Sequence, residues 1–292
     1  MRATASDKLL SIVSNGAIIL LSLTCIMPFL YVVSVSITTS KAFYLEGARL
    51  IPNDVTFAAY RSLLVDATLF RRALANTLVL TVMGTSVTVF LSTMTGYAFS
   101  KRDVPGRKLI LIFLYLSGFF AGGLIPKFFV LQRMGLINTY WALIIPTAAV
   151  FNYLLIKNYF IMALPEAIEE SAKLDGASTF QILIRIVMPL ALPIMATIAL
   201  FSAVMFWNTY MEAVLFVPSR KKMVVMRLLQ SMIEVYSGDF AEQLGKSVDM
   251  SDAPSEGFKM AALFIATVPI LFLYPFLQKH FAKGIIIGAV KG

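Results

Sequence analysis

Six stretches of this chain run for 18 or more residues without a charged side chain: Leu9–Ser40, Ala73–Ser100, Leu109–Pro126, Met134–Ile156, Ile186–Met211 and Met260–Gln278. A helix needs roughly 20 apolar residues to cross a hydrocarbon core. Lipid offers no water to an unpaired amide, so each run has to be helical; a barrel would show short alternating segments instead. The expectation is an all-α polytopic membrane protein with six transmembrane helices. The spans are placed at about 9–37, 73–100, 109–130, 136–160, 188–211 and 260–278, in one transmembrane domain covering 1–292. Pro28, Pro146, Pro193, Pro269 and Pro275 fall inside these runs; they predict kinks rather than breaks, because neighbouring helices can satisfy the freed carbonyls. The first run far exceeds a 7–15 residue signal-peptide core and no clear small-x-small cleavage site follows it, so an uncleaved anchor is expected.

Composition closes off other classes. The chain is 59% hydrophobic and 14% charged with mean hydropathy +0.81, whereas a soluble domain carries about a quarter charged residues. One cysteine, Cys25, and one histidine, His280, exclude an intrachain disulfide, a cysteine-based metal cluster and a multi-histidine zinc site. A net charge of +9 points here to anionic lipid and topology signals, not to nucleic acid. The short loop Lys101–Lys108 has four basic residues in eight, which places it in the cytoplasm together with both termini. In that orientation 12 Lys/Arg lie inside and 13 outside, but the rule acts through short, dense loops. Two sizeable outer segments follow, Lys41–Arg72 and Glu212–Lys259, expected as loops with turn signals at Pro52-Asn53-Asp54 and Ala253-Pro254-Ser255. The sizeable inner loop is Lys157–Arg185.

Catalytic chemistry is missing. Gly245-Lys246-Ser247 ends like a phosphate-binding loop, yet Phe240 stands where its first glycine is needed. There is no G-x-S-x-G elbow, and a single histidine makes a Ser–His pair improbable. No catalytic or metal-ligating residue is assigned, and no cofactor is expected in this chain.

The informative stretch is the coupling-size inner loop, residues 165–189. Pro165 sits where a helix can begin, and Glu166, Glu169 and Glu170 suit its positive end. Asp175-Gly176 is a stop-and-turn pair. A second short helix can run from Ser178 to about Val187, with Phe180, Leu183, Ile184 and Val187 at three- and four-residue spacings, and Pro189 ending it before the fifth span. This helix–glycine–helix elbow is read either as a connector on the membrane surface or as a docking element for a cytoplasmic partner.

At these residues the chain resembles the import-type ABC permeases. Their signature is Glu-Ala-Ala, three residues, Gly, nine residues, then Ile-x-Leu-Pro. Here it reads Glu170-Ser171-Ala172, Gly176 and Ile186-Val187-Met188-Pro189, departing at Ser171 and Met188. The resemblance extends to the smaller permease of the carbohydrate-uptake, maltose-type branch. It is carried by Asn76-Thr77, Gly96-Tyr97-Ala98-Phe99-Ser100-Lys101, Pro105-Gly106-Arg107, Asn138-Thr139-Tyr140-Trp141-Ala142, Trp207-Asn208 and the tail Gly284–Gly292. Pro28–Ser34, Gly122–Pro126 and Asp175-Gly176-Ala177 resemble a subgroup linked to polysaccharide-derived oligosaccharides, alginate importers included.

What the resemblance implies is a type I ABC importer permease in a bacterial inner membrane, forming half of an oligosaccharide pathway. It implies a second homologous permease, two cytoplasmic ATPase subunits that bind ATP and Mg, and an extracytoplasmic solute-binding protein. Glu170, Ser171, Ala172, Asp175, Gly176, Ile186 and Pro189 would then couple to an ATPase cleft, with the Lys283–Gly292 tail a further candidate contact.

Polar residues within spans are costly in lipid and mark pathways. Asn152 and Tyr153 in the fourth span, and Trp207, Asn208 and Tyr210 near the end of the fifth, are the candidates, aromatic faces suiting sugar faces and amides suiting hydroxyls. Interface anchoring by Trp and Tyr, and helix pairing by Asn, are the structural alternatives. Glu212 and Lys157 are read as membrane-boundary residues. The competing function is a secondary transporter or channel without an ATPase partner; a scaffold would also lack a use for the elbow.

Overall fold

The computed structural model describes residues 5–120, 122–147, 150–164, 166–234 and 254–289. In chain order its first helices are α1 (Ala5–Ser36), α2 (Ser40–Glu46), α3 (Ala58–Arg61), α4 (Thr68–Ser100), α5 (Arg107–Phe119) and α6 (Leu124–Arg133). There follow α7 (Trp141–Ile144), α8 (Val150–Ala163), α9 (Glu166–Leu174), α10 (Thr179–Ile182) and α11 (Met188–Trp207). The last are α12 (Met211–Phe216), α13 (Val225–Glu234) and α14 (Ser255–Ala289). Two compact units are formed, Met1–Arg71 with Leu229–Val268 and Arg72–Leu228 with Pro269–Gly292.

Four helical stretches are long and apolar enough to cross a membrane unbroken: Leu10–Ser36, Thr68–Ser100, Thr179–Trp207 and Ser255–Leu273. They coincide with the first, second, fifth and sixth expected spans, and Pro28 and Pro193 are accommodated inside helices as expected. In α1 the hydroxyls of Ser22 and Thr24 bond back to the carbonyls of Ile18 and Leu20, hiding polar atoms inside the helix. Its surface displays Leu10, Ile19, Leu20 and Leu23, side chains that only lipid or another apolar surface can cover.

The third and fourth spans depart from expectation. Instead of one helix over 109–130, α5 stops at Phe119 and α6 starts at Leu124. Gly123 lies between them at φ +81°, a backbone state open mainly to glycine. Over 136–160, α7 gives way to a 3-10 turn at Ile145–Thr147 before α8. Pro146 lies in this 3-10 turn and has no amide to continue an α ladder; residues 148 and 149, between the turn and α8, lie outside the described residues.

The expected loops are also partly helical. In the first unit, the 41–72 segment holds most of α2, all of α3 and a π turn at Ser62–Asp66. Thr39 caps α2 by accepting the Ala42 amide, and Gly47 at φ +75° ends it. Tyr60 shares a 2.7 Å hydrogen bond with Ser36 and sets its ring edge-on to Phe264. In the 212–259 segment, α13 buries Val225, Leu228, Leu229 and Met232, the spacing of one helix face. Residues 235–253 of that segment, including Ala253 of its turn signal, lie outside the described residues, as do Val290–Gly292 of the tail. The tail is helical as far as Ala289.

Within the second unit two cores lie at opposite ends of α4. One packs Leu80 with Leu131, Leu143, Phe206, Phe216 and Val224; the other packs Tyr97 with Ile156, Phe160, Ile182, Val187 and Ile198. Two glycines of α4 make these contacts possible. A Cβ at Gly84 would stand 2.6 Å from the Phe206 ring, and one at Gly96 would stand 2.5 Å from Ile156 Cγ2.

Candidate functional site

The elbow is built from α9, Gly176 and α10. At the end of α9 the Asp175 amide donates to Ser171, the Gly176 amide to Lys173 and the Ala177 amide to Ala172. The last two bonds are the paired closure that a left-handed residue permits at a helix end, and Gly176 supplies it at φ +81°. Two residues later Ser178 opens α10 with a reciprocal cap: Gln181 N donates to Ser178 Oγ, and Ser178 N donates to Gln181 Oε1. Ser178→Ala should remove about 1 kcal/mol from this helix start, visible as faster hydrogen exchange over residues 179–187.

The second elbow helix does not end at Pro189, which corrects the sequence reading. A π turn at Leu183–Val187 links α10 to α11, with Met188 N donating five residues back to Leu183. Proline in an α-helix clashes with the carbonyl four residues earlier and leaves it unpaired. The wider π turn directly ahead of Pro189 accommodates both effects, so Thr179–Trp207 is one continuous helical stretch.

Glu170, Ser171, Asp175, Gly176 and Pro189 are exposed, whereas Ala172 and Ile186 are half-buried. Large apolar side chains are uncovered around them: Ile168, Leu174 at 89% exposure, Phe180 and Ile184. Glu169, read from the sequence only as an acid at the helix start, has a side chain that is just 6% exposed. It forms an ion pair with Lys101, and the Tyr97 hydroxyl lies 3.4 Å from its other oxygen. Lys101 Nζ sits 4.7 Å above the Tyr97 ring, and Tyr97 meets Phe160 edge-on. A hollow of about 500 Å³ opens beside this group, lined by Lys101, Arg107, Glu169, Glu170 and Lys173 among others.

The five pathway candidates do not share one cavity. Asn208 lines a hollow of about 590 Å³ with Phe201, Met205, Thr209 and Glu212. Trp207 is buried and lines a different groove of about 330 Å³ with Thr81, Thr85 and Ser86 of α4. Asn152 is buried in α8, and Tyr153 and Tyr210 are half-buried. Asn208 also folds its amide back onto the Val204 carbonyl at 2.9 Å. Lys157 is buried, with its ammonium 5.8 Å from the Tyr115 ring centre.

Residues 69–287 match the model of the family described as the binding-protein-dependent transport system inner membrane component. The chain belongs to this family. It is 39% identical over 287 residues to the polygalacturonan/rhamnogalacturonan transport system permease protein of Bacillus subtilis, covering 98% of this chain and 99% of that one. It is 31% identical over 298 residues to the trehalose/maltose transport system permease protein of Thermococcus litoralis, covering both chains in full. A crystal structure of a bacterial ABC transporter that imports the acidic polysaccharide alginate contains a similar chain. There the TM-score is 0.86 at 30% identity, over 95% of this permease and 98% of that chain. The membrane permease expected from the charge-free runs and the signature is thus the family the chain falls in.

Proposed function

We propose that this permease forms half of the pathway of an ATP-driven oligosaccharide importer and carries no ATP-hydrolysing site itself. A solute-binding protein delivers the saccharide on one face of the membrane. Two ATPase subunits, holding ATP and Mg, dock on the elbow at the other, and a second homologous permease completes the pathway. All six expected spans cross the bilayer in one domain, the third and fourth as broken helices, with both termini and Lys101–Lys108 in the cytoplasm.

The observation that carries this reading is the elbow. Its glycine turn is closed by hydrogen bonds, its inward carboxylate is paired, and its outward apolar side chains are uncovered among the described residues. An uncovered apolar set beside exposed charge is the surface of a docking element. A bias between inward- and outward-open states requires differential contact with a moving partner. Relatives that move polygalacturonan fragments and alginate favour a saccharide drawn from plant or algal polysaccharides. The Asn208 hollow, with Thr209 and Glu212, offers hydrogen-bonding groups suited to sugar hydroxyls.

Affinity purification of the tagged chain from its native membrane should recover an ATPase and a second permease, and the assembled vesicles should take up oligogalacturonate or alginate oligosaccharide on ATP addition. Recovery of the chain alone, with solute movement independent of ATP, would overturn the proposal.

A further inference from the structure

We infer that α4 is a rod pinned at both ends, through which the elbow and the loop spanning residues 221–225 move together. This rests on the docking role given to the elbow. The near pin is the Glu169–Lys101 pair. Lys101 directly follows the last residue of α4, and Tyr97, one turn back, reaches the same carboxylate and lies under the same ammonium. A carboxylate this buried cannot lose its cation without being left as an uncompensated charge, so displacement of α9 carries the end of α4 with it.

The far pin lies at the other end of the same helix. Asn76 Nδ2 donates to the carbonyls of Lys221 and Met223, both at 2.9 Å. Thr77, fully buried, accepts the Val225 amide at 2.8 Å. Two consecutive side chains of α4 thus hold three backbone groups of one short segment. That segment is secured again next door: Lys222 Nζ donates to the Asn138 carbonyl at 2.6 Å, and Asn138 Oδ1 accepts the Ser219 amide.

Between the pins α4 has neither a proline nor a π turn, two causes of a kink within a helix, and its glycines Gly84 and Gly96 are packed closely against Phe206 and Ile156. From Asn76 to Tyr97 the helical rise is about 32 Å, close to the thickness of a hydrocarbon core of about 30 Å. The pins therefore stand near the two faces of the membrane, one on the element facing the ATPase and the other on a loop facing the opposite compartment. A stiff element bonded at both ends is a two-way linkage: what moves one end moves the other. Spatial connection alone does not establish coupling, which is measured by combining substitutions at the two ends.

The test uses the complete complex of both permeases, ATPase subunits and solute-binding protein in lipid nanodiscs. The chain carries Cys25→Ser and Lys221→Cys, and the maleimide labelling rate at position 221 is compared with and without Mg-ATP and vanadate. The expected result is a several-fold nucleotide-dependent change in that rate. Glu169→Gln, which keeps the side-chain shape, should abolish the change, as should Asn76→Ala. The double variant should behave like either single, because both cut one rod. The exchange of charges, Lys101→Glu with Glu169→Lys, should restore the response and so separates lost pairing from misfolding. The inference falls if the labelling rate ignores nucleotide, if the response survives either single substitution, or if the charge exchange fails to restore it. A complex that lacks the ATPase subunits overturns the docking reading and this one with it. A complex that hydrolyses ATP while Glu169→Gln still responds overturns the rod alone.

Discussion

Replacing Gly176 with proline is expected to leave the chain in the membrane while abolishing saccharide-stimulated ATP hydrolysis by the assembled complex. Insertion depends on the apolar spans and their flanking charges, and neither changes. The elbow changes in two ways. Its turn needs φ near +81° at position 176, while proline is fixed near −65°. Its closure also needs the Gly176 amide, which donates to Lys173 and which proline lacks. Holding a residue in the wrong backbone region costs on the order of 1–3 kcal/mol, and the lost bond about 1 more, enough to displace α10 from its place beside α9. Glu170→Lys should act on the same assay by another route. Its exposed position puts the new charge into the proposed docking surface, where a basic cleft would meet it at a cost of several kcal/mol. Lys173→Ala is the control, since the carbonyl that receives the Gly176 amide remains. Full ATPase recovery and full stimulation in both Gly176→Pro and Glu170→Lys would reduce the elbow to a connector.

Gly96→Leu is expected to have the largest effect on the folded permease itself. Even the first carbon of the new side chain would stand 2.5 Å from Ile156 Cγ2, 2.8 Å from its Cβ and 3.1 Å from the Lys157 amide nitrogen. The last of these is backbone and cannot rotate away, so α4 and α8 must separate. Overpacking a close-packed core typically costs about 1–3 kcal/mol, and here it opens the cluster that seats Tyr97, Phe160 and Ile182. The detergent-solubilised variant should melt well below the parent and lose its monodisperse fraction on size exclusion. Gly96→Ala should show a smaller loss, and Ile156→Ala should relieve only part of it. Unchanged melting of Gly96→Leu would mean the two helices are not held this closely.

Four of the spans were legible because hydrophobic length is a one-dimensional property. Their ends were less so. Helix α4 begins at Thr68, ahead of the charge-free run, because Arg71 and Arg72 can extend into the interface from a helix that has already started. The broken third and fourth spans were written locally, in Gly122-Gly123 and Pro146, but in lipid such residues are as compatible with a kink as with a break. Only the packing partners decide between them. For the elbow, the signature spacing singled out Gly176 and Glu170, which are exposed in the structure, but it carried no information on helix phase. Glu169 turns inward because it lies on the same face as half-buried Ala172, three residues on. The pathway candidates are spread over different surfaces for the same reason. Trp207 and Asn208 are adjacent in sequence, and therefore about 100° apart around a helix, so they open on different hollows.

The π turn at Leu183–Val187 gives the longest consequence. One helical shaft runs from the elbow to the residues beside both hollows, and each α-helical residue advances it by about 100°. A π turn holds one residue more than the α turn it replaces, so it acts as a phase shifter. It sets the angle at which the elbow presents Phe180 and Ile184 relative to the angle at which Trp207 and Asn208 face their hollows. Relatives that lose or gain a residue at this point would aim the elbow's exposed face in another direction. The relative aim of the two ends of this helical stretch is thus keyed at a single turn.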